Sequence, residues 1–102
     1  MNIEFENYKL GNGLTVILHN NPQSNVVSTN ILYDVGSKHE NPDFTGLAHL
    51  FEHLMFSGTK SQPNFDKFLE KVGAQNNAFT SSDITNYYIT IPTNNLEHAL
   101  YI

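Results

Sequence analysis

The sequence has no cysteine, no tryptophan and no arginine, and its five basic residues, all lysine, face 10 Asp plus Glu. Without cysteine there is no disulfide framework, no thiolate nucleophile and no cysteine-based zinc site, so any metal must be held by histidine and carboxylate. The formal net charge of -5 excludes the basic excess that nucleic acid or an anionic membrane surface requires. Nowhere do about 20 apolar residues run together, the length that a membrane-spanning helix needs. The opening MNIEFENYKL carries acids where a signal peptide would carry a basic start and then an apolar run. The chain therefore reads as soluble; a signal removed upstream of it leaves both the cytoplasm and an exported space open. At 102 residues it is one domain at most, with a modest core.

What is present begins with β signals. FENYKL and LTVILHN flank Gly11-Asn12-Gly13, and an Asn-Gly between two alternating apolar runs predicts an antiparallel hairpin. After the turn Asn20-Asn21-Pro22, NVVSTNILYDVG alternates and is rich in β-branched residues, which predicts a third strand ending near Gly36. SKHENPDF is a polar loop leading to Thr45, the expected N-cap of a helix from about Gly46 to Phe56 that Gly58 closes. A second helix follows Pro63, with Phe65, Phe68, Leu69 and Val72 on one core face, Asn64 as cap and Gly73 as stop. NNAFTSSDITNYYITIP predicts two strands around Ser81-Ser82-Asp83, ended by Pro92. Asn94 with Glu97 forms a variant capping box, and Leu96, Ala99 and Leu100 share a face, so a third helix starts there. It reaches Tyr101-Ile102 with no Gly, Asn or basic residue to close it, the pattern expected of a fragment of a longer polypeptide.

The first helix carries HLFEH inside GLAHLFEHLMF, a run that otherwise reads as buried. On a helix, positions 49, 52 and 53 are i, i+3 and i+4, so His49, Glu52 and His53 project from one face with the imidazoles one turn apart. Three ionisable groups are costly to bury together unless they are hydrogen-bonded or bind metal. Two histidines one turn apart can each place a nitrogen about 2.0–2.1 Å from one zinc ion. Glu52 is then placed to take a proton from a water whose pKa the metal lowers to about 7, which is the equipment for hydrolysing an amide. The bland alternative is a pair of satisfied core histidines beside a solvated glutamate. It is the weaker reading, because a shuffled chain of this composition shows H-x-x-E-H only about once in a hundred trials. The same spacing occurs among zinc peptidase motifs.

GLAHLFEHLMFSGT, followed by FDKFLEKVGAQNNAFTSSDITNYYITIP, resembles the N-terminal part of the insulinase/pitrilysin zinc metallopeptidases. The likeness begins at NGLTV and reaches NNLEHAL, so it covers nearly the whole chain. It implies an α/β fold of α+β type, a mainly antiparallel sheet packed against helices, with residues 1–102 as the N-terminal part of a single truncated peptidase domain. It implies a zinc-dependent metalloendopeptidase acting on peptides or unfolded segments, with His49 and His53 as zinc ligands and Glu52 as general base. The family's third ligand, a glutamate on a later helix, falls beyond Ile102. Glu70, Glu97, Asp83 and His98 read as solvated surface groups rather than substitutes for it, and His19, His39 and His98 as surface or loop residues.

Asn77-Ala78-Phe79-Thr80 matches the family's substrate-binding edge strand, which adds an extended peptide through main-chain hydrogen bonds. The resemblance places Asn77 near the scissile bond and Phe79 at a pocket for a substrate side chain. From the residues alone, this stretch is an ordinary hairpin strand with a small residue at Ala78. Implied partners are a peptide substrate and the remaining part of the peptidase or a second subunit, with no nucleic acid and no membrane span. Two other readings stand beside the enzyme: a non-catalytic chamber-forming partner domain, against which the intact HLFEH speaks, and a structural fragment that self-associates into homo-oligomers through exposed apolar surface and sheet edges.

Overall fold

A computed structural model describes residues 2–102. Strands β1 (Glu6–Lys9) and β2 (Thr15–Leu18) pair antiparallel with Glu6 opposite Leu18, as a two-stranded sheet of their own. The expected Asn-Gly turn closes them: Leu10 N–H donates to the Leu14 carbonyl at 2.8 Å, and Leu14 N–H donates to the Asn12 side chain at 3.1 Å. Gly13 supplies the left-handed conformation at φ 90°, open to glycine without steric cost.

The main sheet contains β3 (Val26–Tyr33), β4 (Gln75–Thr80) and β5 (Thr85–Pro92) in the order β3-β5-β4, antiparallel throughout. β5 is therefore central and β4 lies at an edge. β3 stops at Tyr33, short of the expected Gly36, because the chain leaves the ladder there to pack on the β4–β5 turn. Ser37 and Lys38 donate their N–H groups to the carbonyls of Ser81 and Ser82, both at 3.1 Å, and Lys38 forms an ion pair with Asp83.

Among the described residues three α-helices follow the expected order: α1 (Leu47–Met55), α2 (Phe65–Lys71) and α3 (Leu96–Tyr101). Their caps differ from expectation. The residue before α1 is Gly46, at φ 89°, so Thr45 stands too far out to cap. Instead Glu40 reaches in from the preceding loop: one carboxylate oxygen accepts the Gly46 N–H and the other the Ala48 N–H, both at 2.6 Å. These bonds satisfy orphan donors of the helix and hold the Glu40 carboxyl below its ordinary pKa, Ala48 contributing more than Gly46. Asn64 stands at the cap position of α2 without a side-chain cap bond, while Gly73 ends that helix at φ 72°. α3 begins after a 3-10 turn (Thr93–Asn95), which puts Asn95 at its cap position, and the Asn94 side chain bonds Asn95 instead of capping.

Ile91 of β5, Phe65 and Leu69 of α2, and Ala99 of α3 form the buried core, with Val27, Ile89, Phe68 and Val72 packed around it. α2 thus presents the predicted face. α1 departs from expectation: Glu52 is its buried residue, whereas Leu50, Phe51, Leu54 and Met55 are 49–60 % exposed. Among the described residues α1 rests on the sheet through the Ala48–Glu52 side, and no second layer covers its apolar flank.

Candidate metal centre

Helical spacing brings His49, Glu52 and His53 to one side of α1, and one potential ligand atom from each lies within 4.8 Å of the others. The two histidine Nε2 atoms stand 2.9 Å apart, with ring centroids 4.6 Å apart. Both nitrogens therefore converge on one point. Two ligands of a tetrahedral zinc at about 2.0–2.1 Å would sit roughly 3.3 Å apart, so a small ring rotation suffices. Two converging imidazole nitrogens beside a carboxylate suit a catalytic zinc, and the residues present fit that ion.

Burial separates the three roles. His49 and His53 are exposed, whereas Glu52 is 8 % exposed. Its Oε2 accepts a hydrogen bond from Thr80 Oγ1, at the end of β4. Tyr87 of β5 lies beside the same carboxylate; burial first, then the Glu52 and Tyr33 charges, push its phenol above the ordinary value. Tyr33 and Tyr87 meet edge to face, with ring centroids 6.0 Å apart. The contact of Thr80 with Glu52 spans 28 residues of sequence and has no local signature. Glu40, which sets the start of the ligand helix, was equally hidden, because its partners lie 6 and 8 residues away across an irregular loop.

The other predicted positions fall as follows. Thr80 is brought to the metal cluster. Because strand side chains alternate, Thr80 and Ala78 face α1, whereas Asn77 and Phe79 are exposed on the opposite face. The Asn77 side-chain oxygen accepts the N–H of Ala78 at 2.8 Å. Glu70, Glu97 and Asp83 are exposed and none joins the cluster. His19 is exposed and bonds the Glu4 carbonyl at 2.8 Å, and His39 accepts the Gly36 N–H at 3.0 Å in a 3-10 turn. His98 corrects the surface-or-loop expectation. It lies on α3 with its ring 3.6 Å from that of Phe68, and its Nε2 is buried without a partner among the described residues, because α3 packs beside α2.

The family model described as Insulinase (Peptidase family M16) matches residues 15–102. An uncharacterized zinc protease of Rickettsia bellii (strain RML369-C) is 38% identical over 104 residues, which covers 100% of this chain and 25% of that protein. Zinc protease PqqE of Helicobacter pylori (strain ATCC 700392 / 26695) is 40% identical over 93% of this chain and 22% of its own length. Insulin-degrading enzyme of Homo sapiens is 36% identical over 95% of this chain and 10% of its own length. A crystal structure of a protease from Helicobacter pylori superposes with a TM-score of 0.87 at 38% identity, covering 96% of this chain and 24% of that one. The chain thus spans a tenth to a quarter of the length of these relatives. It belongs to the insulinase family, peptidase family M16.

Proposed function

We propose that this chain is the metal-ligating part of a zinc-dependent endopeptidase that hydrolyses peptides or unfolded protein segments. The observation that carries the reading is the convergence of the His49 and His53 Nε2 atoms beside the buried Glu52 carboxylate. His49 and His53 would hold zinc, with a third ligand, a glutamate, supplied from outside residues 1–102. Bound there, zinc supplies Lewis acidity and lowers the pKa of a water to about 7. Glu52 acts as general base, taking the proton of the attacking water and passing it to the leaving amine.

Substrate would lie along the free edge of β4. The Ser81 N–H bond to the Ile84 carbonyl, 2.8 Å, sets the parity of the hairpin. It turns the main-chain groups of Asn77 and Phe79 toward β5 and leaves those of Asn76, Ala78 and Thr80 on the edge. An extended peptide pairing there adds a strand beside α1. Asn77 acts through its bond to the Ala78 N–H, one of those edge donors. The exposed Leu50, Phe51, Leu54 and Met55 are the surface against which the rest of the peptidase, or a second subunit, packs.

Metal content tests the reading. Zinc loading and dialysis at neutral pH, followed by mass spectrometry, should leave about one zinc per chain in the protein that carries this segment, and a His53→Ala variant should lose it. Equal zinc in the two proteins sinks the proposed ligand set.

A further inference from the structure

Glu52 is the buried member of the metal cluster, and the hydrogen bond its side chain receives comes from a different layer of the fold. We propose that Thr80 is a positioning residue for peptide hydrolysis. Its hydroxyl holds Oε2 of Glu52 and leaves Oε1 as the oxygen that takes the proton, while its main chain lies on the edge where substrate adds. This rests on the reading of Glu52 as general base.

The placement of the hydroxyl is fixed from the strand side. Thr80 is β-branched, so few χ1 rotamers are open to it. It stands opposite Thr85 in the β4–β5 ladder, and Thr85, only 4 % exposed, donates its own hydroxyl to the Val35 carbonyl at 2.9 Å. The adjoining turn is closed by the Ser81 N–H bond to Ile84. Thr80 therefore cannot drift with α1; the carboxylate is aligned to the sheet. A hydroxyl donating to a carboxylate makes a charge-assisted bond, stronger than a neutral one. Without it, Glu52 is a buried carboxylate with neither rotational restraint nor a donor among the described residues.

The geometry also joins two parts of the proposed site that the sequence keeps 28 residues apart. The same residue whose side chain orients the base presents its N–H and C=O to the open edge of β4, so a peptide paired with that edge is registered against Glu52 through a single residue. Near-attack positioning of this kind acts on the chemical step more than on binding.

The test uses the full-length peptidase that carries this chain, with Thr80→Val, Thr80→Ser and Glu52→Gln. Thr80→Val keeps the branched shape and removes the hydroxyl. It is expected to lower kcat about ten- to a hundredfold while KM moves by less than about twofold, with zinc content unchanged. Thr80→Ser, which keeps the donor, is expected to restore kcat to within about threefold. Should the valine variant fail to fold, Thr80→Ala carries the same expectation. A valine or alanine variant with wild-type kcat, beside an inactive Glu52→Gln, overturns the role of Thr80 alone. So does a loss that serine fails to restore, or one that follows loss of zinc. A Glu52→Gln enzyme that keeps its turnover overturns the assignment of Glu52 itself, so the two failures are told apart.

Discussion

Gly36→Ala should destabilise the protein although it adds a single methyl group. Gly36 has φ -154°, extended backbone that any residue adopts, so strain is not the cause. The cause is a close approach. A Cβ at position 36 would lie 2.5 Å from both the carbonyl carbon and the carbonyl oxygen of Ser82, about 1 Å inside ordinary contact. The obstacle is backbone and cannot rotate away. Overpacking of this kind costs about 1–3 kcal/mol. Relief by moving the loop breaks the bonds of Ser37 to Ser81 and of Lys38 to Ser82, each contributing about 0.5–1.5 kcal/mol. Whether the clash is borne or relieved in this way, the expected loss is about 1–3 kcal/mol, a substantial fraction of the roughly 5–15 kcal/mol that holds a domain folded. For a domain near 100 residues this lowers the melting temperature by roughly 4–24 °C. Because the loop also carries Glu40, the cap of α1, zinc retention should weaken together with stability. Gly11→Ala is the control, since nothing lies within 4 Å of a Cβ there. Circular-dichroism melts of the three proteins decide the matter. A Gly36→Ala protein that melts within about 2 °C of both wild type and Gly11→Ala refutes the steric account.

Leu69→Ala removes one of the two largest fully buried side chains of a small core and is expected to cost about 2–5 kcal/mol, read from urea unfolding; a loss below about 1 kcal/mol would mean that α2 is not part of the core. Glu40, held below 4.5 by two N–H groups, contributes stability that is complete above its unfolded value and lost as pH falls through the lower folded value. The melting-temperature gap between wild type and Glu40→Gln should therefore narrow as pH is lowered from about 6 to 3, and a constant gap would show that the carboxylate charge has no part in capping.

Much of the fold follows from neighbours in sequence. The Gly11-Asn12-Gly13 hairpin, the strands around Ser81-Ser82-Asp83 and the α2 face of Phe65 and Leu69 all form where short-range pattern predicts them. His49, Glu52 and His53 share a side of α1 because 3.6 residues per turn is a property of the helical backbone, whatever the helix packs against. Local caps were the weaker signal. Thr45 and Asn94 have suitable side chains, but a cap works only at the residue adjoining the helix, and loop geometry gave those places to Gly46 and Asn95.

The rest needed the chain folded. Alternation shows that Asn77 and Phe79 share one face of β4 and Ala78 and Thr80 the other, but only the packing of α1 says which face meets the metal cluster. His98 became half-buried because α3 lies beside Phe68, a contact that no spacing within α3 encodes. The same division runs through the site. The sequence by itself put two imidazoles and a carboxylate on one helix face, because helix geometry depends only on near neighbours. The tertiary structure decided that Glu52 is the buried one, that Glu40 starts the helix and that Thr80 holds the carboxylate, because those contacts exist only once distant segments are brought together.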